Sequence, residues 1–152
     1  MAALRPATET PLSDEAVRVM HLVALDAGAL VRRLDKRRPE MLSAFSRLRD
    51  REALLGATHA FGLTARFEDV SSLPAPVQDA VVHFYELADE LRWYFRFTTD
   101  MPGALALRFD AHRRQLGEAY EALARALEAA TMPAPRQRLP AKRTPIRKRQ
   151  KK

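Results

Sequence analysis

A chain of 152 residues suits one domain, long enough to bury roughly two thirds of its unfolded surface. It contains no cysteine, which excludes disulfide frameworks, thiolate zinc sites and cysteine nucleophiles. The net charge of +7 is unevenly spread: residues 132–152, MPAPRQRLPAKRTPIRKRQKK, hold nine Lys or Arg and no Asp or Glu, so residues 1–131 carry 17 basic and 19 acidic side chains.

Residues 1–12 read as a flexible N-terminus without a hydrophobic segment of signal type. No apolar run reaches the roughly 18 residues of a membrane span, because Asp26 and Arg32 interrupt the best candidate. The expectation is a soluble, cytoplasmic protein with no membrane partner.

The first predicted helix opens at Ser13, a good N-cap, with Asp14 and Glu15 at the positive end of the dipole and Leu12 placed to staple onto Val17. Val17, Met20, Ala24, Ala27, Val31 and Leu34 recur at heptad spacing and predict its buried seam. It is expected to end in RRLDKRRP, with Pro39 opening a second helix at a favoured first-turn position. That second helix is expected over residues 39–60, with Met41, Leu42, Phe45, Leu48 and Leu55 as core candidates, and is weakened by Gly56. A loop over residues 62–76 follows. A third helix is expected over residues 77–98, with Val77, Val81, Phe84, Ala88, Leu91 and Phe95 on its seam, and DMPG breaks it at 100–103. The fourth spans about 104–130, with Leu105, Phe109, His112, Leu116, Tyr120, Leu123 and Leu127 facing inward. Strand signals are lacking.

These elements predict an all-α fold: an antiparallel up-down-up-down four-helix bundle over residues 13–131, followed by a disordered polycationic tail over 132–152. In that arrangement residues 26–47 and 92–114 share one pole. They carry 11 basic side chains against five acidic ones, so the tail leaves from the opposite, acidic pole.

Catalytic constellations are sparse, and the expectation is a protein that is not an enzyme and carries neither cofactor nor metal. Ferritin-like metal sites require Glu-x-x-His pairs, which this chain lacks. Asp79 and His83, spaced i, i+4, read as a surface pair. RFDAH, Arg108 to His112, resembles the Arg and His of HEPN ribonucleases, but with three intervening residues where that family has four to six. Phosphate-binding glycine loops and hydrolase motifs do not occur.

Basic side chains are the stronger signal. Five cations among the seven residues from Arg32 to Arg38 exceed what a helix C-terminus calls for. With the tail they indicate a polyanionic partner, RNA or DNA, held through phosphates. The expected contacts are Arg32, Arg33, Lys36, Arg37, Arg38, Arg92, Arg96 and Arg108 on the helices, and Lys142, Arg143, Arg147, Lys148 and Arg149 in the tail. A second signal is aromatic. ELRWYFRF, residues 90–97, holds four rings that one helical face cannot share. Phe95 falls on the core seam and Tyr94 flanks it, whereas Trp93 and Phe97, with Val82 further up, point about 160° away. A monomer would expose them, so they predict a homo-oligomer interface.

The helix order from about residue 13 to 130, DKRRPEMLSAFSRLR and ELRWYFRF together resemble a family of small basic four-helix bundles. It comprises the accessory variability determinant (Avd) of diversity-generating retroelements and proteins encoded in ribosomal-RNA intervening sequences. The resemblance implies a homopentameric barrel that binds nucleic acid through exposed basic side chains and partners a reverse transcriptase. It carries over no catalytic residue. Two other classes stand beside it: an interaction adaptor whose tail docks an acidic protein, and a HEPN-like ribonuclease or toxin.

Overall fold

The computed structural model describes residues 12–60 and 67–132. Among these residues the chain is all-helical, without strands: α1 (Asp14–Leu48), α2 (Glu52–Ala57), α3 (Phe67–Ser71), α4 (Ala75–Phe97) and α5 (Pro102–Thr131). The expected flexible N-terminus and polycationic tail lie outside the described residues, apart from Leu12 and Met132.

The main correction concerns Pro39. The sequence suggested that it opens a new helix, but α1 runs through it as one element of 35 residues, about 52 Å long. Proline inside a helix leaves the carbonyl four residues earlier, here that of Asp35, without its usual donor, and costs about 3 kcal/mol. The compensation is tertiary. Ala16, Met20, Val23, Ala27, Leu30, Leu34, Met41 and Phe45 are all buried, and they form one stripe that continues past the proline without changing face. The expected seam was rotated by about one position: Val17 is 45% exposed, and Ala24 and Val31 are half-buried. The true stop comes at Arg49, which takes the left-handed conformation (φ 54°) and donates its N–H to the Phe45 carbonyl. Ser13 caps the other end as expected, its hydroxyl accepting from the Ala16 N–H at 3.1 Å.

Residues 49–60 then fold back along α1. Arg33 donates to the carbonyls of Ala57 (3.0 Å) and His59, which ties α2 to the middle of α1. The long second helix expected over 39–60 is therefore divided. Its first part belongs to α1, and only the six residues of α2 pack separately, against α1 and α4. Leu48, expected in the core, is 75% exposed. Part of the predicted loop over 62–76 is also helical: α3 packs on α1 and α4, and α4 already begins at Ala75.

The last two helices follow the sequence closely. Every expected seam residue of α4 is buried, and Tyr85 joins them. On α5, Leu105, Phe109, Leu116 and Leu123 are buried, while His112, Tyr120 and Leu127 are half-buried. Phe95 stacks on Phe109 with centroids 5.8 Å apart, and Phe84 meets Tyr85 edge-on at 5.2 Å. The short connection after Phe97 sets α4 antiparallel to α5. The pairs Arg38–Asp110 and Arg113–Asp35 set α1 antiparallel to α5 as well. Gly28 of α1 packs tightly on α5: a Cβ there would meet the Tyr120 hydroxyl, and the Arg32 guanidinium, at 3.0 Å.

The proline gives a direct test. If Pro39 sits inside a continuous helix, Pro39→Ala restores a backbone donor and should raise stability by about 1–3 kcal/mol in chemical denaturation. An unchanged or lower stability would instead place a turn at residue 39.

Candidate nucleic-acid interface

The cationic block of α1 does not cap a helix end. It runs along the flank of a continuous helix, beside the first half of α5. The blunt cationic pole expected from the sequence is thus a lateral surface, and the expected binding residues divide into two groups.

One group is used inside the fold. Arg33 is half-buried and spends its donors on the Ala57 and His59 carbonyls. Arg38 occupies the inward stripe of α1 between Leu34 and Met41, where an apolar residue would continue the heptad. Its guanidinium is instead matched bidentately to Asp110, at 2.7 and 2.6 Å. The hydrogen bond from Arg38 holds the Asp110 carboxyl below the usual carboxylate range, and the same bond raises Arg38. Arg113 reaches Asp35 at 2.6 Å and approaches Asp110 at 3.9 Å. These four side chains line an open groove of about 530 Å³ between α1 and α5, with Arg114 at its edge. An anion entering it would face two carboxylates, so the ladder serves helix pairing better than phosphate capture. Each pair is partly exposed and worth at most about 1 kcal/mol. No sequence signal marks it, because the partners lie 72 and 78 residues apart.

Arg108 is paired as well, although its side chain is 66% exposed. Its Nε lies 3.3 Å from Asp100, and its guanidinium sits 5.9 Å from the Tyr94 ring centroid. Tyr94 donates to Asp100 at 2.8 Å, and the Asp100 N–H donates to the Thr98 hydroxyl at 3.1 Å as a local brace. Arg51 donates to the Arg96 and Thr98 carbonyls at 2.9 and 2.6 Å, completing a lock on the α4–α5 connection. Reading along the chain missed Arg51, Asp100 and Asp110, because their roles exist only where helix ends meet.

The other group faces solvent. Arg32, Lys36 and Arg37 on α1 and Arg96 on α4 are exposed, Arg92 is half-buried, and among the described residues none of them forms an ion pair. Arg47 on α1 and Arg114 on α5 are exposed on the same half of the molecule and also unpaired in this sense. Lys142, Arg143, Arg147, Lys148 and Arg149 lie outside the described residues.

The expected interface aromatics are where the helical wheel put them. Trp93 is 64% exposed, Phe97 56% and Val82 46%. The Trp93 and Phe97 rings lean on each other with centroids 5.0 Å apart, forming one apolar knob on the outer face of α4.

His112, the histidine of RFDAH, meets the Tyr94 ring at a tilt with centroids 5.7 Å apart, and its buried Nδ1 has no hydrogen-bond partner among the described residues. Burial lowers its pKa, Glu90 opposes that shift and Arg108 adds to it. Among the described residues, no three His, Asp or Glu side chains come together to hold a metal, and no helix is long and apolar enough to cross a membrane. No protein-family model matches the chain, and comparisons with curated proteins and with solved structures likewise give no match.

The His112 environment fixes the sign of a pH effect. A lowered folded-state pKa means that the unfolded chain takes up the proton more readily. The stability from neutral His112 is full above the unfolded value of about 6.5 and is lost as pH falls through the folded value. Denaturation of His112→Gln should therefore show a flatter loss of stability than wild type between about pH 7 and 5. Equal slopes would assign the acid sensitivity to other groups.

Proposed function

We propose that this protein is a non-enzymatic, homo-oligomeric, nucleic-acid-binding accessory protein of the cytoplasm. The observation that carries this reading is the charge layout. A body of net −2 leaves cations exposed and unpaired on one half, and a segment with nine cations and no acid follows its last helix. Such a layout suits a polyanion held by its backbone rather than an acidic protein docked on a defined surface. In this reading the molecule is an up-down-up-down bundle whose second, descending side is made by α2 and α3, and residues 132–152 act as a basic arm. Its likeness to the Avd family adds a reverse transcriptase of a diversity-generating retroelement as protein partner, and a pentamer as assembly.

Arg32, Lys36, Arg37, Arg92 and Arg96 are the body's phosphate contacts in this reading. Arg33 and Arg38 support the fold through their hydrogen bonds to Ala57, His59 and Asp110, and Arg108 is paired with Asp100. Binding is expected to be insensitive to base sequence, since phosphate contacts position without specifying. If about five cations of the basic arm neutralise phosphates, affinity should fall roughly 500-fold between about 50 and 200 mM salt.

Fluorescence anisotropy with labelled RNA and DNA of unrelated sequences tests this. Lys36→Glu with Arg37→Glu should weaken binding about equally for every sequence and leave stability unchanged. Truncation after Met132 should flatten the salt dependence. Arg33→Gln should instead lower stability by about 1–2 kcal/mol with little change in binding. An unchanged salt slope after truncation would remove nucleic acid as the arm's partner and favour the adaptor reading.

The assembly is tested separately, by light scattering. Wild type should run as an oligomer at micromolar concentration, and Trp93→Ala with Phe97→Ser should dissociate it while keeping its helicity. A monomeric wild type, or a double variant of unchanged mass, would remove α4 as the interface.

A further inference from the structure

Charge is segregated a second time, inside the body. Residues 67–91, which supply α3, the turn after it and most of α4, hold six acidic side chains (Glu68, Asp69, Asp79, Glu86, Asp89 and Glu90) and no Lys or Arg. On this stretch an open groove of about 470 Å³ lies between α3 and α4, lined by Val70, Gln78, Asp79, Val82, His83 and Glu86. Gln78 closes one end of it. Its amide donates to the Ser71 and Leu73 carbonyls, at 3.2 and 2.6 Å, and so holds α3 against the first turn of α4. Val70 and Val82 give the groove an apolar wall. Asp79 and Glu86, seven residues apart on α4, bring two carboxylates about 10 Å apart along the helix axis. Both are exposed, and among the described residues neither forms an ion pair. Such a groove suits a segment that carries cations on either side of an apolar side chain.

We infer that the basic arm of the same chain occupies this groove when no nucleic acid is bound, with Ile146 against Val70 and Val82 and with Arg143 and Arg147 on the two carboxylates. The arm has nine cations and no acid, and its segment RTPIR places one branched apolar residue between Arg143 and Arg147. In an extended chain those two arginines stand about 13 Å apart, close to the spacing of Asp79 and Glu86. The reach also fits. Because α5 runs antiparallel to α4, its last residue, Thr131, lies at the end of the bundle where α4 begins. Counted along both helices from their connection, Thr131 stands about 16 Å beyond Asp79 and about 27 Å beyond Glu86. From Met132 the chain can span up to about 46 Å to Ile146, but only about 23 Å to Leu139, the other large aliphatic residue of the arm. Ile146 can therefore be seated with cations on both carboxylates, whereas Leu139 falls short of Glu86. A tether of this length keeps the arm near the groove at an effective concentration on the order of millimolar, so that a weak contact is populated. Val82 lies about 16 Å along α4 from Trp93, so Trp93 and Phe97 stay free for assembly while Val82 faces the arm. The consequence is competition, and it rests on the nucleic-acid reading above. Arginines held on carboxylates are withheld from phosphates, and docked chains outnumbering open ones by about ten would lower apparent nucleic-acid affinity about tenfold.

The absence of native cysteine makes the contact readable by disulfide trapping on the full chain. Val82→Cys with Ile146→Cys should cross-link within one chain under mild oxidation at low salt, and excess single-stranded DNA should suppress the link. Trp93→Cys with Ile146→Cys, at the other end of α4, should link far more slowly. Equal rates for the two pairs would show an arm without a seat and overturn the proposal; so would links that form only between chains. Anisotropy supplies the second arm of the test. Asp79→Asn with Glu86→Gln should tighten nucleic-acid binding about tenfold. Ile146→Ser, which removes no charge, should tighten it as well, and the two changes together should give less than the product of their separate effects. An unchanged affinity in Ile146→Ser, or fully multiplicative gains, would mean that the carboxylates merely repel phosphate, and would overturn the proposal. The two readings fail separately. A chain that links at Val82 but binds no nucleic acid keeps the docked arm and loses the nucleic-acid reading. A chain that binds nucleic acid but never links at Val82 keeps that reading and loses the docked arm.

Discussion

The molecule depends on one apolar stripe along α1 that keeps its face past a proline. Ala16, Met20, Val23, Ala27, Leu30 and Leu34 lead up to Pro39; Met41 and Phe45 resume beyond it on the same side. If the helix bent away at residue 39, Met41 and Phe45 would leave the core and the α1–α5 pairing would lose its upper half. The missing backbone donor costs about 3 kcal/mol. Burial of a Met and a Phe, at about 1.5–3 kcal/mol each, is of sufficient size to offset it. Arg38 marks the same constraint from the polar side. It stands where the stripe needs an inward side chain, and it is tolerated there because Asp110 neutralises it at hydrogen-bond distance.

This spine decides what the basic residues are free to do. Cations that face the second and fifth helices are drawn into the fold: Arg33 onto exposed carbonyls, Arg38 and Arg113 into a ladder with Asp110 and Asp35. Those that face outward keep their charge for something else. The outward cations of α1 thus form a lateral strip rather than a cluster at a turn. A strip of that kind follows a backbone along its length, whereas a blunt pole would touch only one point of it.

The fourth helix joins the two themes. Its inner stripe of Val77, Val81, Phe84, Ala88, Leu91 and Phe95 fills the bundle, while its outer stripe leaves two aromatic rings in solvent. Adjacent aromatic rings left in solvent form the kind of apolar patch that marks an interaction surface.

Much of this was legible from residue order alone. The seams of α4 and α5 followed from period and local signals: Ser13, DMPG and the aromatic run marked what the helices bury and where they stop or start. The outward direction of Trp93 and Phe97 needed only the helical period, because it is set within a single turn. Where α1 ends was not legible. Local preference favours Pro39 as a first-turn residue, and only the packing of Met41 and Phe45 against distant helices makes it an interior one. The same holds for the division of the cations. Arg33, Arg37 and Arg38 are alike in sequence, within one turn and a half of each other. Whether each is spent on a carbonyl, left in water or paired with a carboxylate depends on which helix lies across from it, and that is a property of the assembled bundle.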